Sequence, residues 1–411
     1  MIYAEPRKKQ PIKQRSVRIF RTESLRVQIT QCEVYTGAHN FIITVVTAVC
    51  DVLADEPCEE SQNSPQGHRA EKKEEVFSVA LALCGEPFWG GFSMKAIVIS
   101  RLGGPEVLEV RDVPDPTPEN GEELIQGQAG GLNFADVLTA KGGYPGTPTP
   151  PLIAGREYCG IRQRDGQRVM GYKQWAAFAE YTTGRPELLW PVPESWSAEE
   201  GAAFPVNYFT AWFAYWKAGL LNPQIKNSRV LIHAVAGGVG TASVQIGKLL
   251  GMEMYGTSSS EEKLARIKQL GLQHCINYKE HDYEQAVKDL TRGEGVDAVF
   301  EMLGGEHTNR SVRCLRDFGR VIVYGSATGE KAALDTRLLY AKGASVHGLW
   351  LTYLSANRGL MQQAWGQLST WISQGHLRPV IGGAFAMEQV REAYCLLAEG
   401  RNFGKVVIRI P

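Results

Sequence analysis

Along the first 93 positions, polar and apolar residues follow one another with no sustained period of 2 or 3.6. The basic run Arg7-Lys8-Lys9, a polar stretch from Glu56 to Gln66 and a mixed charge cluster from Arg69 to Glu75 separate short apolar pieces. The pattern changes at SMKAIVISRLGGPEVLEVRDVP. Met94-Lys95 opens a strand over Ala96 to Ser100, Gly103-Gly104-Pro105 predicts a turn, and Val107 to Val110 begins a second strand. A domain is therefore expected to start at Met94. Residues 1–93 are expected to be a dispensable N-terminal extension, either poorly ordered or upstream sequence read as protein.

From Met94 to about Ala203 the chain reads as short strands broken by Gly and Pro turns, which predicts a β-rich, barrel-like domain. Arg164-Asp165-Gly166-Gln167 predicts a tight hairpin, because Asp-Gly supplies the positive φ such turns require. From about Phe204 strands and helices alternate. Arg229 to His233, Glu253 to Thr257, Cys275 to Tyr278, Ala298 to Met302 and Arg320 to Tyr324 read as buried strands. In the helix after the first of them, Val239, Ala242, Ile246, Leu249 and Leu250 fall on one face. The alternation predicts an α/β, doubly wound parallel sheet. After Gly348 come a helix over Leu360 to Ser373 and a strand over Gly404 to Ile410, which is expected to return to the first domain.

Candidate chemistry sits where the first parallel strand meets its helix, in HAVAGGVG. Ala234, Gly237, Gly238, Val239 and Gly240 form a loop in the strand–loop–helix context that holds a dinucleotide pyrophosphate. Val235 stands where the fingerprint has its first glycine. The acid that would grip a ribose 2′-hydroxyl about 20 residues on is missing. Ser258, Ser259 and Ser260 stand there instead, followed by Lys263. Small hydroxyls and a lysine suit a 2′-phosphate, as in NADPH. The same residues also read as a helix cap, Ser258 with Glu261 or Ser259 with Glu262, and Lys263 as a solvated surface lysine. Tyr278, after a strand, is placed to stack on or bond near the adenosine phosphate. Gly325 and Ser326 fall at the C-terminal end of the sheet, where ligands bind. His233 reads as a satisfied core histidine.

Composition narrows the partners. Lys plus Arg equal Asp plus Glu at 44 each in 411 residues, so no bulk charge points to nucleic acid. The apolar run near Phe41 to Ala54 is too short and too polar to span a bilayer, and no signal peptide is visible. The eight cysteines are scattered without Cys-x-x-Cys and read as reduced thiols of a cytoplasmic protein.

The segments MKAIVISRLGGPEVLEV, GLNFADVLTAKGGYPG, RVLIHAVAGGVGTASVQIGKLLG, INY at 276–278 and GRNFGKVVI near the end together resemble the medium-chain dehydrogenase/reductase superfamily. Within it, the chain is similar to the zinc-free, ζ-crystallin-like quinone oxidoreductases from about Met94 to Pro411. The resemblance implies a GroES-like catalytic domain in two parts, 94–208 and 346–411, around a Rossmann NADPH-binding domain, 209–345. Its dinucleotide loop often reads A-x-x-G-x-x-G, which Ala234, Gly237 and Gly240 match.

The resemblance also implies site roles. Asn133 would hydrogen-bond the substrate carbonyl, or is an ordinary helix cap; Asp136, in the same cleft-facing turn, would contact the cofactor. Tyr144 would be a proton donor, or a packed loop aromatic. Thr210 would lie near the nicotinamide, and Asn402 near the cofactor. Zinc members carry a His where Arg156 stands and a cysteine-rich lobe that is missing, so no metal is expected. Arg156 itself reads as a surface or Glu157-paired arginine in preference to a substrate contact. The tight 160–168 segment is shorter than family members usually have.

The expected activity is reduction of a quinone or an α,β-unsaturated carbonyl by NADPH. The alternative is a non-enzymatic NADPH-binding structural or RNA-binding protein of the ζ-crystallin type; no basic run with interleaved aromatics after Met94 supports nucleic acid. A homodimer is expected, with the apolar segment Val346 to Leu351, placed after the last Rossmann strand, pairing with its twin.

Overall fold

The computed structural model describes residues 93–411, apart from Asn120 and Pro223, together with 36–37 and 40–41. The expectation for residues 1–93 therefore lies outside the described residues, save for two short strands. These are β1 (Thr36–Gly37) and β2 (Asn40–Phe41), which pair antiparallel with each other.

Beyond them the chain lays down three sheets. Strands β3 (Ser93–Ile99), β4 (Leu108–Pro114), β5 (Glu123–Leu132), β6 (Leu152–Ile153), β7 (Glu157–Arg162), β8 (Arg168–Tyr172), β9 (Tyr181–Gly184) and β10 (Leu189–Pro191) come first. They build the barrel-like part: β4-β3-β6 form a small sheet, and β10-β8-β7-β5 continue into the last strands of the chain. The expected hairpin joins β7 to β8. Gly166 has φ +72°, and the Arg162 N–H donates to Gln167 O across the turn at 2.9 Å.

Six parallel strands follow: β11 (Arg229–Ile232), β12 (Glu253–Ser258), β13 (His274–Asn277), β14 (Val296–Glu301), β15 (Leu315–Val323) and β16 (Ser345–Gly348). Their order is β13-β12-β11-β14-β15-β16, so the connection reverses direction between β11 and β14. That reversal opens a crevice at the C-terminal strand ends, where α/β sheets bind nucleotides.

The sequence reading places the last Rossmann strand at Arg320 to Tyr324 and the boundary at 345. Here β16 is the last strand, with Val346 opposite Val321 and His347 opposite Ile322. Val346 to Gly348 are thus part of that strand and form the sheet's edge.

The helix Pro205–Ala218 is buried on nearly every side, which follows from an apolar sequence with no polar stripe. It packs on the helix Gly238–Leu250 and on Arg358–Ser373, joining the two halves through one aromatic-rich core. The chain closes with β17 (Ile381–Ala386) and β18 (Lys405–Arg409). The latter inserts between β17 and β5, with Val406 opposite Leu132. Among the described residues no helix is long and apolar enough to cross a membrane.

Candidate functional site: a dinucleotide cavity and an aromatic rim

The dinucleotide loop is shaped by two glycines. A Cβ at Gly240 would collide with the Val235 carbonyl, so only glycine lets the helix start this close to β11. A Cβ at Gly237 would meet only Ala234 O, at 3.3 Å, so that residue's other side is open. Gly237 caps the helix Gly238–Leu250, whose first N–H groups and dipole favour an anion.

The opening is a cavity of about 710 Å³ over the C-terminal strand ends. It brings together Ala234, Gly237, Ser258, Ser259, Lys263, Tyr278 and Asn402 of the expected cofactor residues. Gly238, Val239 and Gly240 shape the helix start without lining it. Gly325 and Ser326 do not line it either: β15 ends at Val323, and the chain turns back so that Thr328 does. Leu303, just past β14, also lines it and was missed, although the end of that strand is where the rule for α/β sheets points. Glu399 and Gly400 were missed too; they come from the returning C-terminal segment.

The serine cluster is not capped as the sequence suggested. Ser260, rather than Ser258 or Ser259, is the N-cap of the helix Glu261–Leu270 and accepts from the Lys263 N–H at 3.4 Å. Ser260 is the last extended residue before the helix, so the helix end leaves Ser258 and Ser259 to the cavity. Lys263 Nζ donates to Gly400 O at 2.5 Å and has no carboxylate partner among the described residues. Burial pushes its pKa down.

His233 is a core residue, as expected. It is fully buried, its ring nitrogens lie 3.0 Å from Thr257 Oγ1 and 3.2 Å from Ser311 Oγ, and burial lowers its pKa to about 3. It is neutral at physiological pH.

A second group of residues lies on the barrel side. Asn133 caps the helix Phe134–Ala140. Its Nδ2 donates to Gly131 O at 3.1 Å and to Glu157 Oε1 at 2.9 Å, and its Oδ1 accepts from Lys405 Nζ at 2.6 Å. Both amide hydrogens are thus committed inside the protein, and neither is left for a substrate carbonyl. Lys405 and Glu157 form a buried ion pair. The other oxygen of Glu157 accepts from the Val206 N–H at 2.7 Å, and Asn207 lies against Gly238. The Gly404 N–H donates to Ala236 O at 2.8 Å, which ties this cluster to the dinucleotide loop. Thr210 is buried one turn further along the same helix.

Asp136 does not line the cavity. Its carboxylate accepts from the Asn133 N–H at 2.8 Å and sits 3.3 Å from Arg156 Nε. Burial pushes its pKa up to about 6, against Arg156, the Asn133 N–H and Lys405, with Glu157 adding to the rise. The unfolded chain releases this proton near the ordinary value of 3.8, whereas the folded protein holds it to about 6. Its contribution to stability is therefore greatest below 3.8 and is lost as pH rises through about 6. Thermal melts of wild type against Asp136→Asn should show the wild type losing ground over that window; a constant difference would refute the assignment.

Arg156 is neither a surface residue nor paired with Glu157. It is 2% exposed, and its chain turns it away from Glu157 toward Asp136, Thr139 Oγ1 (2.6 Å) and Gln174 O (2.9 Å). Its guanidinium lies over Tyr144 and Trp175, 3.9 and 4.3 Å from the ring centres. Tyr144 is half-buried, and its Oη accepts from Trp350 Nε1 at 2.8 Å.

A split β-barrel around a doubly wound sheet, with a phosphate-seeking loop at the switch point, defines a dinucleotide-dependent oxidoreductase. A family described as zinc-binding dehydrogenase matches residues 238–373. The mouse quinone oxidoreductase is 30% identical over 329 residues, which cover 77% of this chain and 97% of the relative. A zebrafish synaptic vesicle membrane protein VAT-1 homolog is 31% identical over 347 residues, covering 77% and 70%. The quinone oxidoreductase of Thermus thermophilus, solved also in complex with NADPH, superposes with a TM-score of 0.70 at 35% identity, over 77% of this chain and all of that one. The chain belongs to the zinc-free quinone oxidoreductase family of the medium-chain dehydrogenase/reductases. A mycobacterial neighbour, 28% identical with a TM-score of 0.70, is likewise a complex with NADPH. The loop, the open side of Gly237 and the hydroxyls of Ser258 and Ser259 fit that group. Among the described residues no cluster of His, Cys, Asp or Glu could hold a metal ion.

Proposed function

We propose that the protein reduces a quinone or an α,β-unsaturated carbonyl with NADPH, without a metal. NADPH, when bound, supplies the hydride. The chain's part is to bind it along the cavity, to exclude water and to hold a donor at the oxygen where charge grows.

The observation that carries the reading is the state of the Tyr144 hydroxyl. An indole N–H can only donate, so Tyr144 Oη is the acceptor from Trp350 and keeps its own hydrogen. Among the described residues none accepts that hydrogen, so it is open to water or, with a substrate bound, to a substrate oxygen. NADPH oxidation measured against a panel of quinones and 2-alkenals, with and without chelator, tests this. Turnover unaffected by chelation is expected. Tight NADPH binding with no turnover on any acceptor would favour the non-enzymatic alternative, and a chelator-sensitive, stoichiometric zinc would overturn the metal-free mechanism.

The same reading includes a homodimer. Among the described residues β16 pairs only with β15 and leaves its other edge bare. Unpaired edges invite a partner strand, and a two-fold axis closes the contact. Sedimentation at micromolar concentration is expected to give twice the chain mass; a monomer throughout would contradict the assignment.

A further inference from the structure

His347 stands half-buried on the bare edge strand β16, and the register fixes which way it points. Side chains alternate faces along a strand, and residues side by side on paired strands share a face. Ile322, opposite His347, packs into the core around the helix Pro205–Ala218, whereas Val321, opposite Val346, packs on the other side of the sheet. Arg320, Ser345 and His347 therefore lie with Ile322 on the face that carries this helix.

Three basic side chains meet there. Arg320 Nη1 donates to Lys217 O at 3.5 Å, and a Cβ at Gly219 would lie 2.5 Å from it, so the guanidinium rests on the last turn of the helix. The negative end of the helix dipole favours Arg320 and Lys217 at that place. Among the described residues neither cation pairs with a carboxylate. His347 Nε2 lies 2.9 Å from Ser345 Oγ on its own strand. Burial, then Arg320, then Lys217 hold the His347 pKa below its ordinary value of 6.5, and no acid acts in the other direction. A neutral imidazole fits this corner, and a protonated one would be its third cation.

Pairing the edge with a second copy doubles the group. Two antiparallel copies of one strand are related by an axis normal to the sheet, so both keep the same side chains on the same face. Residues directly opposite share a face as well, and Val346 and His347 do not. To overlap along β16 the axis must therefore pass beside Val346 or beside His347, never between them. In the first register the two His347 residues are diagonal neighbours, about 7–8 Å apart; in the second they are directly opposite, with Cβ atoms about 4.5–5.5 Å apart.

We infer that the β16 edge is a proton-gated surface for a second copy of this chain: copies pair while His347 is neutral and separate once it takes a proton, because two imidazoliums would then stand among the Arg320 and Lys217 side chains of both. This rests on the homodimer reading above and adds its regulation. Like charges set opposite one another across paired strands are destabilising. The dimer holds fewer protons than two monomers, so acid favours the monomers. The dissociation constant stays level at high pH and rises as pH falls through the monomer's His347 pKa, by up to about a hundredfold per pH unit for two protons.

Sedimentation equilibrium of the full chain at constant ionic strength tests this, on wild type, His347→Gln and Arg320→Gln, with circular dichroism to show that each stays folded. Between about pH 7.5 and about pH 5 the wild-type dimer Kd should rise about tenfold or more. His347→Gln, neutral throughout, should dimerise like wild type at the upper pH and lose the acid weakening. Arg320→Gln should dimerise more tightly than wild type at the lower pH. A wild-type dimer of equal strength across the range, or acid weakening retained in His347→Gln, overturns the gate and leaves the homodimer standing. Wild type that is monomeric at every pH overturns the homodimer and the gate with it. If His347→Gln fails to dimerise even at the upper pH, Arg320→Gln decides: a smaller acid effect supports the gate, and one as large as in wild type overturns it.

Discussion

Lys405→Met should lower the melting temperature by roughly 10 °C and weaken NADPH binding at the same time. The Lys405 side chain is 3% exposed and its partner Glu157 fully buried. Removing one member of a buried ion pair leaves the other charge without compensation, at a cost of about 3–5 kcal/mol. In a domain of this size, 1 kcal/mol corresponds to about 2–4 °C. Cofactor binding should fall with it, because Lys405 adjoins Gly404, whose N–H holds Ala236 in the dinucleotide loop. The lysine also anchors Asn133 and, through Glu157, the start of the helix whose Asn207 lies on Gly238. Combining Lys405→Met with Glu157→Gln should recover part of the stability, since the lone carboxylate is gone. Scanning calorimetry and NADPH titration measure both effects; a single variant as stable as wild type would mean the pair is not formed in solution.

Lys263→Ala should weaken NADPH about ten- to a hundredfold and leave NADH nearly unchanged. A hydrogen bond between a charged donor and a phosphate contributes about 1.5–3 kcal/mol, which converts to that range. Lys263 spends one N–H on Gly400 O and has two more for an anion. Ser258 and Ser259 face the same cavity and stand where an acid would repel a 2′-phosphate, while Glu280, Asp282 and Glu399 line other parts of the cavity wall. Fluorescence titration of both cofactors with both proteins gives the result. Equal losses for the two cofactors would reduce Lys263 to a fastener of the Gly400 loop.

The dinucleotide half was largely legible in the sequence, because its signals are local. Strand, glycine loop and amphipathic helix follow one another within about 20 residues, and the same spacing located the serine cluster. Which serine caps the helix was not legible: three consecutive serines differ only in where the backbone turns helical, and each offers the same capping hydroxyl. The state of Asn133 was hidden for another reason. Its partners Glu157 and Lys405 stand 24 and 272 positions away, and only the register of β18 on β5 brings them together. Arg156 is similar: the sequence offered Glu157 as its neighbour, while the fold supplies Asp136, Thr139, Gln174 and two aromatic rings. Val346 to Leu351 was read as a dimer segment beyond the last Rossmann strand; that its first residues belong to a sixth strand, β16, was not legible because those four residues lie beyond the apolar run that marked β15.

The position of β18 sets the order in which this protein can be made. It lies between β5 and β17, yet Lys405 leaves the ribosome 272 residues after Asn133, which follows β5. The Ala129–Leu132 end of β5 therefore waits with an open edge through that interval, and the whole parallel sheet can assemble in the meantime. Closure of the barrel is a late, non-local step, and long-range pairings of this kind are slow. A nascent chain stalled before Lys405 would carry a complete nucleotide-binding sheet beside an unfinished barrel. Its exposed β5 edge is then the place where a chaperone, or another unfinished copy, would bind first.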